Sequence, residues 1–100
     1  MLENNSENMK ILAKYSAVNE VRQLSRSAYK SANQVKNDIE EMKTVLYRVE
    51  ELSDEDKATL YESLESLDKL QKVLSNVEDN MNKKRSKLGY KLEAIIDKLE

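Results

Sequence analysis

Apolar residues recur every seven positions through most of the chain, and the repeat is interrupted once, at Leu52-Ser53-Asp54. One series before the interruption consists of Ile11, Val18, Ser25, Ala32, Ile39 and Leu46. A second series, three residues later, consists of Lys14, Val21, Ala28, Val35, Met42 and Val49. The series after the interruption consists of Leu60, Leu67, Leu74, Met81, Leu88 and Ile95. A heptad repeat of this kind predicts long helices packed along a common seam.

The pattern predicts a single all-α domain over residues 1–100 with two helices. After a frayed N-terminus at residues 1–6, helix 1 is expected from about residue 7 to 52. Ser53 is expected to cap helix 2, which should run from about residue 54 to 98. Asn80-Met81-Asn82 allows a break near residues 80–83, with a separate third helix beyond it, and Gly89 costs roughly 1 kcal/mol inside a helix.

The two halves of the sequence match if the chain reverses at residues 53–54. Partners across an antiparallel seam then have position numbers with a constant sum. Seven pairs that join apolar residues sum to 109: Val49–Leu60, Met42–Leu67, Val35–Leu74, Ala28–Met81, Val21–Leu88, Ile39–Leu70 and Ala32–Val77. The sequence therefore predicts a long antiparallel helical hairpin of the coiled-coil type.

One layer of this predicted seam is polar. The same sum pairs Ser25 with Lys84, and Arg85 is adjacent. Either the long basic side chain extends out of the seam to solvent, or the polar layer sets the register and the oligomeric state.

Several apolar side chains fall outside the predicted seam. They are Leu12, Tyr15, Leu24, Tyr29, Val45, Val73 and Ile96. They either widen the seam or lie singly on the surface, or they form a second face for self-association. We favour the second face, because a long two-helix hairpin buries little surface. Two hairpins are then expected to pair as a homodimer in a four-helix bundle.

The composition excludes most catalytic chemistry. The chain has no histidine and no cysteine, which removes the common nucleophile–base pairs and zinc sites. It also lacks a glycine-rich phosphate loop. We therefore expect neither an enzyme, nor a metal or cofactor, nor a small-molecule substrate. No apolar stretch approaches the ~20 residues of a membrane span and no signal peptide is recognised, so a cytoplasmic protein without a membrane partner is expected.

Charge is distributed unevenly along the chain, although the formal net charge is only −2. Residues 40–79 contain five basic and twelve acidic side chains, whereas residues 80–100 contain six and three. The hairpin should bring basic residues of both helices together as a candidate patch for an anion or an acidic partner. This patch consists of Arg22, Arg26, Lys30, Lys83, Lys84, Arg85, Lys87 and Lys91. The alternative is a solubilising surface with local ion pairs.

In length and predicted architecture the chain resembles the WXG100 group of secreted helical hairpins. Their Trp-x-Gly turn is absent, because the chain has no tryptophan and its turn is Leu52-Ser53-Asp54. The resemblance implies secretion as one alternative function.

The leading functional prediction is a non-enzymatic interaction module of the adaptor, chaperone or inhibitor type. It should self-associate and present a helical face to another protein. The alternatives are a nucleic-acid-binding accessory protein that uses the basic patch, and a secreted WXG100-like hairpin.

Overall fold

The computed structural model of the protein describes residues 5–99, which form two long α-helices and no strand. Helix α1 is Asn5–Arg48 and helix α2 is Asp54–Leu99. The predicted all-α helical hairpin is confirmed. Residues 1–4 of the predicted frayed segment lie outside the described residues, whereas Asn5 and Ser6 belong to α1.

Helix α1 ends at Arg48, four residues before the predicted end, in a hydrogen-bonded C-terminal cap. The Glu51 N–H donates to the Leu46 carbonyl over 3.0 Å, and the Glu50 N–H donates to the Tyr47 carbonyl over 3.1 Å. Glu50 has a left-handed backbone with φ of 57°. These are the features of a Schellman motif. Its usual signal is glycine or asparagine at the left-handed position, and that signal is absent here.

Ser53 caps α2 as the sequence predicts. Its hydroxyl oxygen accepts the Asp56 N–H over 3.1 Å, and its carbonyl accepts the Lys57 N–H over 3.0 Å. The first turn of α2 is acidic, which suits the positive end of the helix dipole. From Asp54 the helix continues through residues 80–83 and past Gly89 without a break.

The seam between the helices follows a heptad frame in which d and a are the inward positions. The d positions are Ile11, Val18, Ser25, Ala32, Ile39 and Leu46 on α1, and Leu60, Leu67, Leu74, Met81, Leu88 and Ile95 on α2. All of these are buried or half-buried. The first predicted series of α1 and the predicted series of α2 therefore face the seam.

The second predicted series of α1 does not face the seam. Val21, Val35 and Met42 are 40%, 46% and 48% exposed. The a positions, four residues after each d position, are taken instead by Tyr15, Arg22, Tyr29, Lys36 and Lys43. This correction has a physical reason, since long side chains cover the seam with their apolar stems while their polar ends reach water.

The register also differs from the prediction. Tyr15 lies beside Gly89, and Lys36 pairs with Asp68; each pair of position numbers sums to 104 rather than 109. The predicted pairs of Val21, Ala28, Val35, Met42 and Val49 are therefore wrong as seam layers, because these five side chains are exposed.

The chain divides into two compact units, and a single domain stays a prediction. Unit 1 is Met1–Ser25 with Asn76–Glu100, and unit 2 is Arg26–Ser75, which contains the turn. In unit 2, Ala32 and Ile39 are the buried apolar side chains, and Gln71, at an a position of α2, is also buried. In unit 1, Ser25 is buried and its hydroxyl donates to the Val21 carbonyl over 2.8 Å.

Candidate interaction surfaces

A groove with lysines on both walls lies on unit 1. Its volume is about 420 Å³ and its lining consists of Lys14, Ala17, Val18, Lys84, Lys87, Leu88 and Lys91. We call it the lysine groove. The α2 lysines have the i, i+3, i+7 spacing of one helical stripe, and Lys14 faces them from α1. No acidic side chain is among these lining residues, so the groove combines an apolar floor with positive walls.

The structure brings together only part of the predicted basic patch. Lys84, Lys87 and Lys91 share the lysine groove, whereas Lys83 is exposed at a different heptad position. Arg26 and Lys30 are exposed and belong to unit 2. The patch as predicted is thus divided between the two units.

The two remaining arginines of the predicted patch occupy seam positions. Arg22 donates to the Asn19 side-chain oxygen from Nε and Nη2, over 3.4 and 3.1 Å. Arg85 is half-buried, and its buried Nε has no hydrogen-bond partner among the described residues. The predicted Ser25–Lys84 layer is corrected in the same way, because Lys84 is exposed and Arg85 takes the inward position.

Sequence reasoning missed Lys14 as a member of the groove. The heptad count assigned it to the seam, where a lysine would be an exception. In the observed frame Lys14 lies at a g position of α1. The α2 lysines lie at g and c positions, so all four border the same groove. The signal was present in the sequence and depended on the correct register.

A second groove lies on the outer side of α1 in unit 2. Its volume is about 520 Å³, and it is lined by Asp38, Glu41, Met42, Val45 and Leu46. We call it the acidic–apolar groove. Met42 and Val45 are 48% and 44% exposed. Two carboxylates border its apolar floor, so its charge is opposite to that of the lysine groove.

The residues predicted for self-association lie on different sides of the helices. Leu24, Val45 and Val73 occupy outer c positions and are exposed. Leu12 and Ile96 are also exposed but lie at e positions, on the opposite side of the seam.

The two tyrosines of that predicted face occupy a positions of α1, and only Tyr15 is half-buried there. Tyr15 is half-buried at an a position, with its ring beside Gly89. Tyr29 is exposed, and its carbonyl accepts a hydrogen bond from the Gln71 amide over 3.3 Å. Placing Tyr15 outside the seam is therefore wrong, whereas the Tyr29 side chain is exposed as predicted.

A polar pocket of about 350 Å³ in unit 2 is lined by Tyr29, Lys36, Asp68, Gln71, Lys72 and Ser75. Its buried group is Gln71, whose side-chain oxygen accepts from the Lys36 ammonium over 3.1 Å. Lys36 also forms an ion pair with Asp68. These hydrogen bonds and this ion pair link α1 to α2 within unit 2.

Two further findings concern the whole described chain. Within residues 5–99, no three acidic side chains come close enough to hold a metal ion. Neither α1 nor α2, as far as they are described, contains an apolar stretch that could cross a membrane.

Comparisons with models of protein families, with curated proteins and with solved structures find no match to this chain.

Proposed function

We propose that the protein is a non-enzymatic helical interaction module that self-associates and presents a helical face to a protein partner, as an adaptor, chaperone or inhibitor does. The observation that carries this proposal is the apolar outer side of α1. Its g positions are apolar after Lys14, whereas the a positions that face α2 are polar or aromatic. On α1, therefore, the g positions beside the seam are more apolar than the a positions within the seam.

The seam of one hairpin makes a small core. Among the described side chains, only Ala32 and Ile39 are buried apolar residues, and none is completely inaccessible to solvent. Small single-layer structures of this kind rarely reach the stability of a typical domain without association or another constraint. A second hairpin would supply the missing layer.

The outer side of α1 offers enough apolar surface to matter. Val21, Leu24, Val35, Met42 and Val45 are each 40–60% exposed. Full burial of a side chain of this size is worth about 1.5–3 kcal/mol, so covering each of these contributes about 1 kcal/mol. The total of several kcal/mol is comparable with the net stability of a small protein. We therefore propose that two hairpins pair through this side into a four-helix bundle.

Sedimentation equilibrium at micromolar concentration tests self-association. The wild-type chain should sediment as a dimer or a higher closed oligomer. Replacing Val35 and Met42 by lysine should give a helical monomer, because two charges would be buried in the interface. The matched control adds the same two charges at Ser27 and Asn37, which are exposed and outside the outer c and g positions. A monomeric wild-type chain with cooperative unfolding would contradict the proposal.

Nucleic-acid binding is the second candidate function, and the lysine groove favours it. Four lysines around one groove attract phosphates, and such binding weakens steeply with salt. Exposed Tyr90 is not among the lining residues of the groove, so base stacking has no platform there. For this reason we place it second.

Retention of the protein by a single-stranded oligonucleotide distinguishes the two functions. If the groove binds phosphates, replacing Lys84, Lys87 and Lys91 by glutamine should abolish retention and flatten its salt dependence. Neutralising Arg26 and Lys30, which are outside the groove, is the control. Retention that is absent in wild-type protein at low salt excludes this function and leaves self-association untouched.

A further inference from the structure

We propose that a second copy of the chain covers the outer side of the hairpin in antiparallel orientation. The lysine groove of each copy would then meet the acidic–apolar groove of the other. This inference rests on the proposed function, because it specifies the orientation of the self-association proposed above.

The charges at the outer c and g positions differ in sign between the two units. In unit 1, the charged residues at these positions of α1 and α2 are Glu7, in the first turn of α1, and six lysines: Lys10, Lys14, Lys84, Lys87, Lys91 and Lys98. In unit 2, the charged residues at these positions are Asp38 and Asp56. Glu41 borders the acidic–apolar groove together with Asp38. Parallel pairing would place lysines against lysines. Antiparallel pairing places them near carboxylates, which is the complementary arrangement.

The apolar parts of the two grooves also match. The floor of the lysine groove is Ala17, Val18 and Leu88, and that of the acidic–apolar groove is Met42, Val45 and Leu46. The α1 residues of both sets occupy c, g and d positions of one uninterrupted helix. An antiparallel pair of α1 helices can therefore bring the 14–18 segment of one copy against the 42–46 segment of the other.

A single register satisfies this arrangement. If partners on the two copies have position numbers that sum to 59, Ala17 meets Met42 and Leu24 meets Val35. Each pair joins a c position to a g position. The two-fold axis then passes between Ala28 and Ser31, which are small enough for close approach of the helices.

Cysteine crosslinking tests the orientation, since the chain contains no natural cysteine. Single variants Ala17→Cys and Met42→Cys, one of them carrying a tag, are mixed and oxidised. Antiparallel pairing should give mainly the mixed disulfide. Self-crosslinking of each variant in preference to the mixed product would overturn the inference. Sedimentation of the same samples keeps the two proposals apart: a dimer with the wrong crosslinks refutes the orientation, and a monomer refutes self-association.

Charge reversal tests the complementarity of the grooves. One variant replaces Lys84, Lys87 and Lys91 by glutamate, and the other replaces Asp38 and Glu41 by lysine. Each should weaken its own dimer about tenfold, as a few partly exposed ion pairs predict. An equimolar mixture should recover wild-type affinity as a heterodimer.

Lys83→Glu is the control for one charge reversal beside the groove, because Lys83 neighbours the groove without lining it. Reversals that weaken the dimer no more than this control, or a mixture that stays as weak as its components, would overturn the inference.

Discussion

Glu50 ends α1 in a backbone conformation that glycine adopts readily and glutamate does not. It has the left-handed backbone of the Schellman cap, with φ of 57°, and the hydrogen bonds of the cap run from residues 50 and 51 to Tyr47 and Leu46. A side chain in this conformation costs about 1–2 kcal/mol, a cost that glycine avoids. Sequence reasoning placed the end of α1 at Leu52, because neither glycine nor asparagine marks residue 50. It located Ser53 correctly, because a serine followed by three acidic residues is a strong start signal.

Replacing Glu50 by glycine should stabilise the protein by about 0.5–1 kcal/mol. The gain is smaller than the relieved strain, because glycine also makes the unfolded chain more flexible. Urea unfolding followed by circular dichroism, at one fixed protein concentration, measures the change. Glu51→Gly is the control and should destabilise, because residue 51 has no left-handed backbone to relieve. Equal effects of the two substitutions would show that the cap is not strained.

The helices themselves were the most predictable elements, and one half of their seam was not. The d series of both helices could be read from the sequence, because apolar residues recur there at every seventh position. The a series of α1 could not, because Arg22, Lys36 and Lys43 are charged and charged residues predict the surface, whereas the structure half-buries all three. The apolar g series of α1 predicts a seam more strongly than the a series does, yet the g side chains are exposed. A helix with two adjacent apolar stripes does not reveal which stripe its own chain covers.

Gly89 lies inside α2 without a conformational need for glycine. Its φ is not positive, and a Cβ atom there would lie 3.8 Å from Cε2 of Tyr15, an ordinary van der Waals distance. Gly89→Ala should therefore stabilise the protein by about 1 kcal/mol through helix propensity. Ala58→Gly, at an exposed position of the same helix, is the reciprocal control and should destabilise by a similar amount. Denaturant unfolding measures both. A destabilised Gly89→Ala variant would mean that the added methyl group clashes with the Tyr15 ring.

At the scale of the whole molecule, the grooves could be foreseen only in part. Lys84, Lys87 and Lys91 were recognisable as one stripe from their spacing on α2. Their partner Lys14 and the acidic–apolar groove depended on the register, which the apolar pairing rule placed five positions away. The polar a layers explain the error, since matching apolar residues alone gives no weight to Lys36, Asp68 and Gln71, which pair across unit 2.

Folding and association should be linked if the outer side of α1 is covered by a second hairpin. The melting temperature of the wild-type protein should then rise with concentration, because mass action adds about 1.4 kcal/mol per mole of dimer for each tenfold increase. For a dimer of this size that corresponds to roughly 2–4 °C. The variant with lysine at Val35 and Met42 should melt lower and independently of concentration, whereas the variant with lysine at Ser27 and Asn37 should behave as wild type. Circular dichroism melts over a hundredfold concentration range measure the effect. A wild-type melting temperature that stays constant over this range would show that the seam alone stabilises the hairpin.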